Sequence, residues 1–170
     1  TALGGHYIPG VFEKLQTAYA EETRFYHNAT HIEDCLAKLQ QFKDETENYS
    51  LIALALFYHD VVYDSRRKDN EALSADWAAS DLAAAGLADD HVRCIHAMIV
   101  STQSHQAEDT DTRLLLDIEL SILGTSAEDF AAYDNAIRQE YSWVPIDDYS
   151  TGRKKVLEHF LKREHIYFTP

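Results

Sequence analysis

An all-α fold in a single domain is predicted by three features of the sequence. Only three prolines, Pro9, Pro145 and Pro170, interrupt 170 residues, which permits long helices. The six glycines fall near presumed element ends and turns and leave few hairpin signals. Apolar residues recur at helical spacing between capping residues. A chain of this length buries roughly 70% of the surface exposed by its unfolded form, enough for one core.

Helices are expected at about residues 9–24, 28–43, 48–63, 69–85, 88–102, 109–123, 126–141 and 149–163. The first follows the opening TALGGHYIPG, of which residues 1–8 are expected to be frayed or extraneous to the fold. Asn28 is placed to cap the second, where Ile32, Leu36, Leu39 and Phe42 keep helical spacing. The third is apolar nearly all round, so it should run through the core. The fourth, NEALSADWAASDLAAAG, is Ala-rich, opens at the candidate cap Asn70 and stops at Gly86. The polar stretch STQSHQAEDTD separates the fifth from the sixth, RLLLDIELSIL, which Gly124 closes. Ser126 can cap the seventh; in the last two, Arg138 of IRQEY and Arg153 of GRKK could reach a substrate, and the same charges fit exposed helix faces equally well. No internal repeat or low-complexity tract divides the chain.

The hydrophobic fraction of 45% and charged fraction of 26% are those of a soluble globular protein. A net charge of −14 repels phosphate backbones and argues against extended nucleic acid as a ligand. A small phosphate ester stays compatible, because a metal and a few arginines can reverse the sign inside one pocket. No apolar run approaches the roughly 20 residues of a membrane span, and nothing resembles a cleavable signal. Cys35 and Cys94 form neither a disulfide framework nor a zinc motif, so a cytoplasmic location is expected.

The most informative residues are the adjacent His59-Asp60 inside LIALALFYHDVVYD. Burying an imidazole and a carboxylate in an apolar helix is costly unless something compensates both. A divalent cation is one compensation, since both groups are ligands; a mutual hydrogen bond is another. Upstream, RFYHNATHIEDC supplies His27 and His31 four positions apart, a spacing that suits joint ligation, a ligand-plus-acid pair or two surface histidines. Downstream, Asp117 lies among Leu114, Leu115, Leu116, Ile118 and Leu120, with Arg113 as an ordinary partner and Glu119 as a rival ligand. Asp117 is preferred. Together these residues predict a His…His-Asp…Asp site assembled from three helices.

This arrangement resembles the HD-domain metal-dependent phosphohydrolases, whose signature is a His, a later His-Asp and a distal Asp on an α-helical bundle. The stretches YHNATHI, FYHDVVYD, DNEALSA, DIELSILG, IRQEY and GRKKVLEHFLKREHIY, spanning most of the chain, are similar to a branch of predicted HD phosphohydrolases. The resemblance implies a single HD-type helical bundle with His31, His59, Asp60 and Asp117 as metal ligands. YHNATH is also similar to the YHNxxH stretch of cyclic-nucleotide phosphodiesterases, which implies His27 as proton donor and His31 as ligand. Those enzymes carry a further metal-linked His beyond His-Asp, where this chain has VVYD.

Arg24 is a candidate phosphate clamp or a helix-end ion pair. Asp64 and Glu71 are candidates to orient water or hold a second ion, or ordinary helix-end residues. His105 is either a loop histidine or an addition to the site. A mixed nitrogen and oxygen shell is compatible with Mn²⁺, Fe²⁺, Co²⁺, Ni²⁺, Mg²⁺ or Zn²⁺. The functional expectation is therefore a hydrolase that cleaves a phosphate ester of a nucleotide or small metabolite with metal-activated water. The alternative is a metal- or nucleotide-binding sensor of HD fold without turnover. The aromatic tail HIYFTP offers a surface for a second copy of the chain, as in a homodimer.

Overall fold

The computed structural model describes residues 3–169. Among them are eight α-helices: α1 Val11–Tyr19, α2 Ala29–Gln41, α3 Tyr49–Tyr58, α4 Asn70–Ala84, α5 Asp89–Ser104, α6 Thr110–Glu119, α7 Ala127–Glu140 and α8 Ile146–Leu161. Short 3-10 turns follow α2 (Lys43–Glu45) and α6 (Leu120–Gly124), and no strand occurs among the described residues. The fold is all-α, as the sequence predicts.

α3 is the central element, packed against α2, α4, α5 and α6. Its Ile52, Ala55 and Leu56 are fully buried among Leu39, Ile95, Ile99, Leu115 and Leu116. Each large aliphatic side chain so buried contributes about 1.5–3 kcal/mol relative to exposure. α4 and α5 form a closely packed pair joined through Gly86, whose φ of 80° is the left-handed conformation that a C-terminal glycine supplies. Among the described residues no helix is long and apolar enough to cross a membrane.

The side chains of Asn28, Asp109 and Ser126 accept from Thr30, Thr112 and Asp129 N–H and start α2, α6 and α7. Asn70 does not cap: it is the first residue of α4, and its amide ties down the preceding loop through the N–H and C=O of Asp64. The expected first helix, 9–24, ends at Tyr19, and residues 20–28 form turns. The expected third helix, 48–63, ends at Tyr58, so His59 and Asp60 lie just past its C-terminus. In the opening segment expected to be frayed, residues 3–8 lack helix, yet His6 N–H donates to Ala85 C=O and Leu3 packs on the core. Thr1 and Ala2 lie outside the described residues.

Candidate metal centre

His31 sits in the first turn of α2, fixed by the Asn28 cap, and its ring is buried against Tyr26. His59 Nδ1 donates to the Leu56 carbonyl at 2.8 Å, which turns Nε2 toward Asp60 Oδ2 at 3.0 Å. His31 Nε2 lies 3.3 Å from His59 Nε2 and 3.7 Å from Asp60 Oδ2. These three side chains form a group that could hold a cation, with ligand atoms all within 4.8 Å of one another. Metal–ligand bonds of about 2.1 Å at roughly tetrahedral or octahedral angles put donors about 3.0–3.5 Å apart. The observed separations are close to that range. The backbone bond from His59 Nδ1 is the support usual for a ligating imidazole.

Burial lowers the His31 pKa to about 3, with the neighbouring His59 acting in the same direction. Burial also disfavours charge on His59, but Asp60 outweighs it and raises its pKa to about 9. Burial would push Asp60 up; the charges of His59 and His27 and the His59 hydrogen bond outweigh it and hold Asp60 well below the usual carboxylate range. Without a cation, then, the group carries one neutral imidazole and one imidazolium–carboxylate pair.

Arg24 fixes the turn that presents Asp60. Its side chain is 1% exposed; Nη1 donates to the carbonyl of Asp60 at 2.5 Å and Nη2 to that of Val61 at 2.9 Å. Nη1 also reaches His27 C=O, and Nε pairs with Glu21. The expected phosphate clamp is instead a main-chain clamp, because carbonyls freed past the end of α3 occupy its donors. It faces a different hollow, between α1 and Trp77. Asp64 is likewise away from the site: its Oδ1 accepts from Arg66 N–H, and it borders the hollows on the far side of Tyr63.

His27 remains beside the group. It stacks on Tyr63 (ring centroids 4.0 Å apart), and its Nδ1 lies 2.7 Å from Glu140 Oε2. Glu140, on the last turn of α7, has a fully buried side chain. Its Oε1 accepts from the backbone N–H of Phe25, Tyr26 and His27 at 2.7–3.0 Å, and Oε2 also accepts from Tyr63 Oη at 2.8 Å. Burial would raise its pKa, but the His27 hydrogen bond and charge and the backbone donors prevail and hold it at about 2. Sequence reasoning missed Glu140. Its partners lie 77 to 115 residues away in the sequence, and IRQEY reads as exposed helix charge.

Asp117 is not brought to the group. Its carboxylate accepts from the N–H of Phe168 and Thr169 and the Thr169 hydroxyl at 2.7–3.0 Å, anchoring the chain after α8. Glu119 is two residues on, roughly 200° around the helix, and lines the cavity that contains His31 and Asp60. Its Oε2 is buried with no hydrogen-bond partner, and Oε1 is 3.6 Å from His105 Nε2. An orphaned buried carboxylate oxygen calls for a counter-charge. The rival distal residue is thus the better placed of the two. His105 adopts φ 51°, a left-handed conformation that no other non-glycine among the described residues has.

The cavity has a volume of about 440 Å³ and is also lined by His27, Glu71 and Arg153, with an apolar wall from Leu120, Leu123, Val156 and Leu157. Glu71, a candidate to orient water or hold a second ion, is part of it and accepts weakly from Gln103 at 3.4 Å. No family model, curated protein or solved structure matches this chain.

Proposed function

We propose that the chain is a metal-dependent phosphohydrolase of small phosphate esters, in the manner of the HD-domain enzymes that its sequence resembles. The observation that carries this reading is the His31, His59 and Asp60 donor group, spaced for one ion, in a cavity that also holds the Glu140-oriented His27. His31, His59 and Asp60 would hold the cation, with Glu119, which lines the same cavity and has an unpartnered buried oxygen, as the candidate to complete the shell. When bound, a divalent ion supplies Lewis-acid chemistry: it acidifies water and draws charge from phosphoryl oxygens.

The remaining work falls to the chain. Glu140 accepts a hydrogen bond from His27 Nδ1–H and stays a carboxylate, which leaves Nε2 to carry the proton for a departing alkoxide. Tyr63 holds the imidazole plane by stacking, and the Glu140 bond fixes its tautomer. The apolar wall limits bulk water, which strengthens each polar interaction inside.

The test pairs elemental analysis with a phosphatase and phosphodiesterase panel run with several divalent metals, on the wild type and Asp60→Ala. The variant should lose bound metal and turnover while circular dichroism reports unchanged helix content. Turnover equal to wild type in that variant removes the assigned centre. Tight nucleotide binding without product in the wild type would instead indicate a sensor.

A further inference from the structure

The arginines near the cavity differ in what their donors already hold. Arg24 is bonded to main-chain carbonyls and Glu21, and Arg138 gives Nη1 to the carbonyls of Tyr141 and Val144. Arg67, exposed at the mouth, grips both oxygens of Asp69. Arg153 on α8 is different. Its Nε donates to Asp134 Oδ1 at 2.8 Å, its guanidinium lies 4.9 Å over the Tyr133 ring, and its Nη2 is buried without an acceptor.

A buried donor left unmet is destabilising, the more so when it is charged. The Asp134 bond and the Tyr133 ring fix the guanidinium of Arg153, a residue that lines the cavity. The Tyr26 ring touches both Tyr133 (4.6 Å) and His31 (4.7 Å), so two aromatic rings, and three contacts, link the guanidinium to the metal donors. In a chain of net charge −14, an anion entering this cavity needs a local cation besides any metal.

We propose that Arg153 is the anion-receiving group of the cavity, meeting a phosphate oxygen of a small ester whose organic part lies along Leu120, Leu123, Val156 and Leu157. This deepens, and rests on, the phosphohydrolase reading. A volume of about 440 Å³ suits an ester of mononucleotide size. The planar fork of arginine matches phosphate oxygens in a way that a lysine ammonium does not.

The test uses inorganic phosphate as probe and Mn²⁺ as cation, with the full chain. Electron paramagnetic resonance reads Mn²⁺ binding, and ³¹P relaxation reads phosphate binding. Arg153→Gln should keep Mn²⁺ affinity within about two-fold and lose phosphate affinity at least about ten-fold, with partial recovery in Arg153→Lys. Asp134→Ala breaks the same ion pair but keeps the guanidinium, and should retain more phosphate affinity than Arg153→Gln. Unchanged phosphate binding in Arg153→Gln overturns the proposal and leaves the metal reading standing. Equal losses in Arg153→Gln and Asp134→Ala also overturn it, since they assign Arg153 a structural role. Failure of the wild type to bind Mn²⁺ overturns the metal reading itself, and the proposal with it.

Discussion

Replacing Glu140 by glutamine removes one charge and almost no volume, and its consequences follow from the five hydrogen bonds that converge on the carboxylate. Folding holds its pKa at about 2 against an ordinary 4.5. That gap corresponds to stability on the order of 3 kcal/mol. The folded pKa is depressed, so this contribution is fully present above pH 4.5 and is lost as the pH falls through about 2. Glu140→Gln should therefore lower the unfolding free energy at pH 7 by on the order of 3 kcal/mol, a fall of about 6–12 °C in melting temperature for a chain of this size. By pH 3, more than half of that difference should be gone. Urea unfolding of both proteins at pH 7 and pH 3, followed by circular dichroism, measures it. Equal midpoints at pH 7, or a difference that does not shrink at pH 3, would refute the reasoning. Elemental analysis of the same variant should find bound metal unchanged, because Glu140 touches none of the three donors.

A cation that binds only the folded chain adds about 2.7 kcal/mol at 100 times its Kd, so Mn²⁺ should raise the melting temperature by about 5–11 °C and a chelator should reverse it. Asp117→Asn should leave metal content unchanged and expose the chain after α8 to carboxypeptidase. Glu119→Gln should weaken metal binding about ten-fold or more in a competitive titration. Arg24→Lys keeps the charge but loses the planar fork, and should cost about 2 kcal/mol in urea unfolding. Because it loosens the turn bearing Asp60, Arg24→Lys should also lower metal affinity about ten-fold.

Helices were legible because each signal is local: Asn28 and Ser126 cap where their neighbours predict, and Gly86 stops α4 with a positive φ. The end of α3 was not. Val61, Val62 and Tyr63 continue the apolar pattern without a glycine or proline, while the carbonyls released there are satisfied by Arg24, some 36 residues upstream. His59 and Asp60 could be singled out from sequence because an imidazole beside a carboxylate in an apolar run is anomalous by itself, whereas the four-residue spacing of His27 and His31 left surface histidines open and His31 was named through the family resemblance. Asp117 and Glu119 could not be told apart in the same way. Both sit among leucines and isoleucines, and only the packed helix shows which carboxylate turns to the cavity and which to the chain after α8. Arg24 and Arg153 illustrate the same limit: what a guanidinium does depends on which acceptors folding has already given it.

The position of His59 and Asp60 just beyond the last turn of α3 has a kinetic corollary. The C-terminal end of a helix carries roughly half a negative charge, and here it adjoins an opening lined by three acids, Asp60, Glu71 and Glu119, and three bases, Arg67, Lys68 and Arg153. On the phosphohydrolase reading the acids favour a cation and the bases a phosphate, and each bound charge strengthens the hold on the other. Initial-rate measurements with both varied should accordingly show that the ion raises the apparent affinity for the ester and the ester raises that for the ion by the same factor.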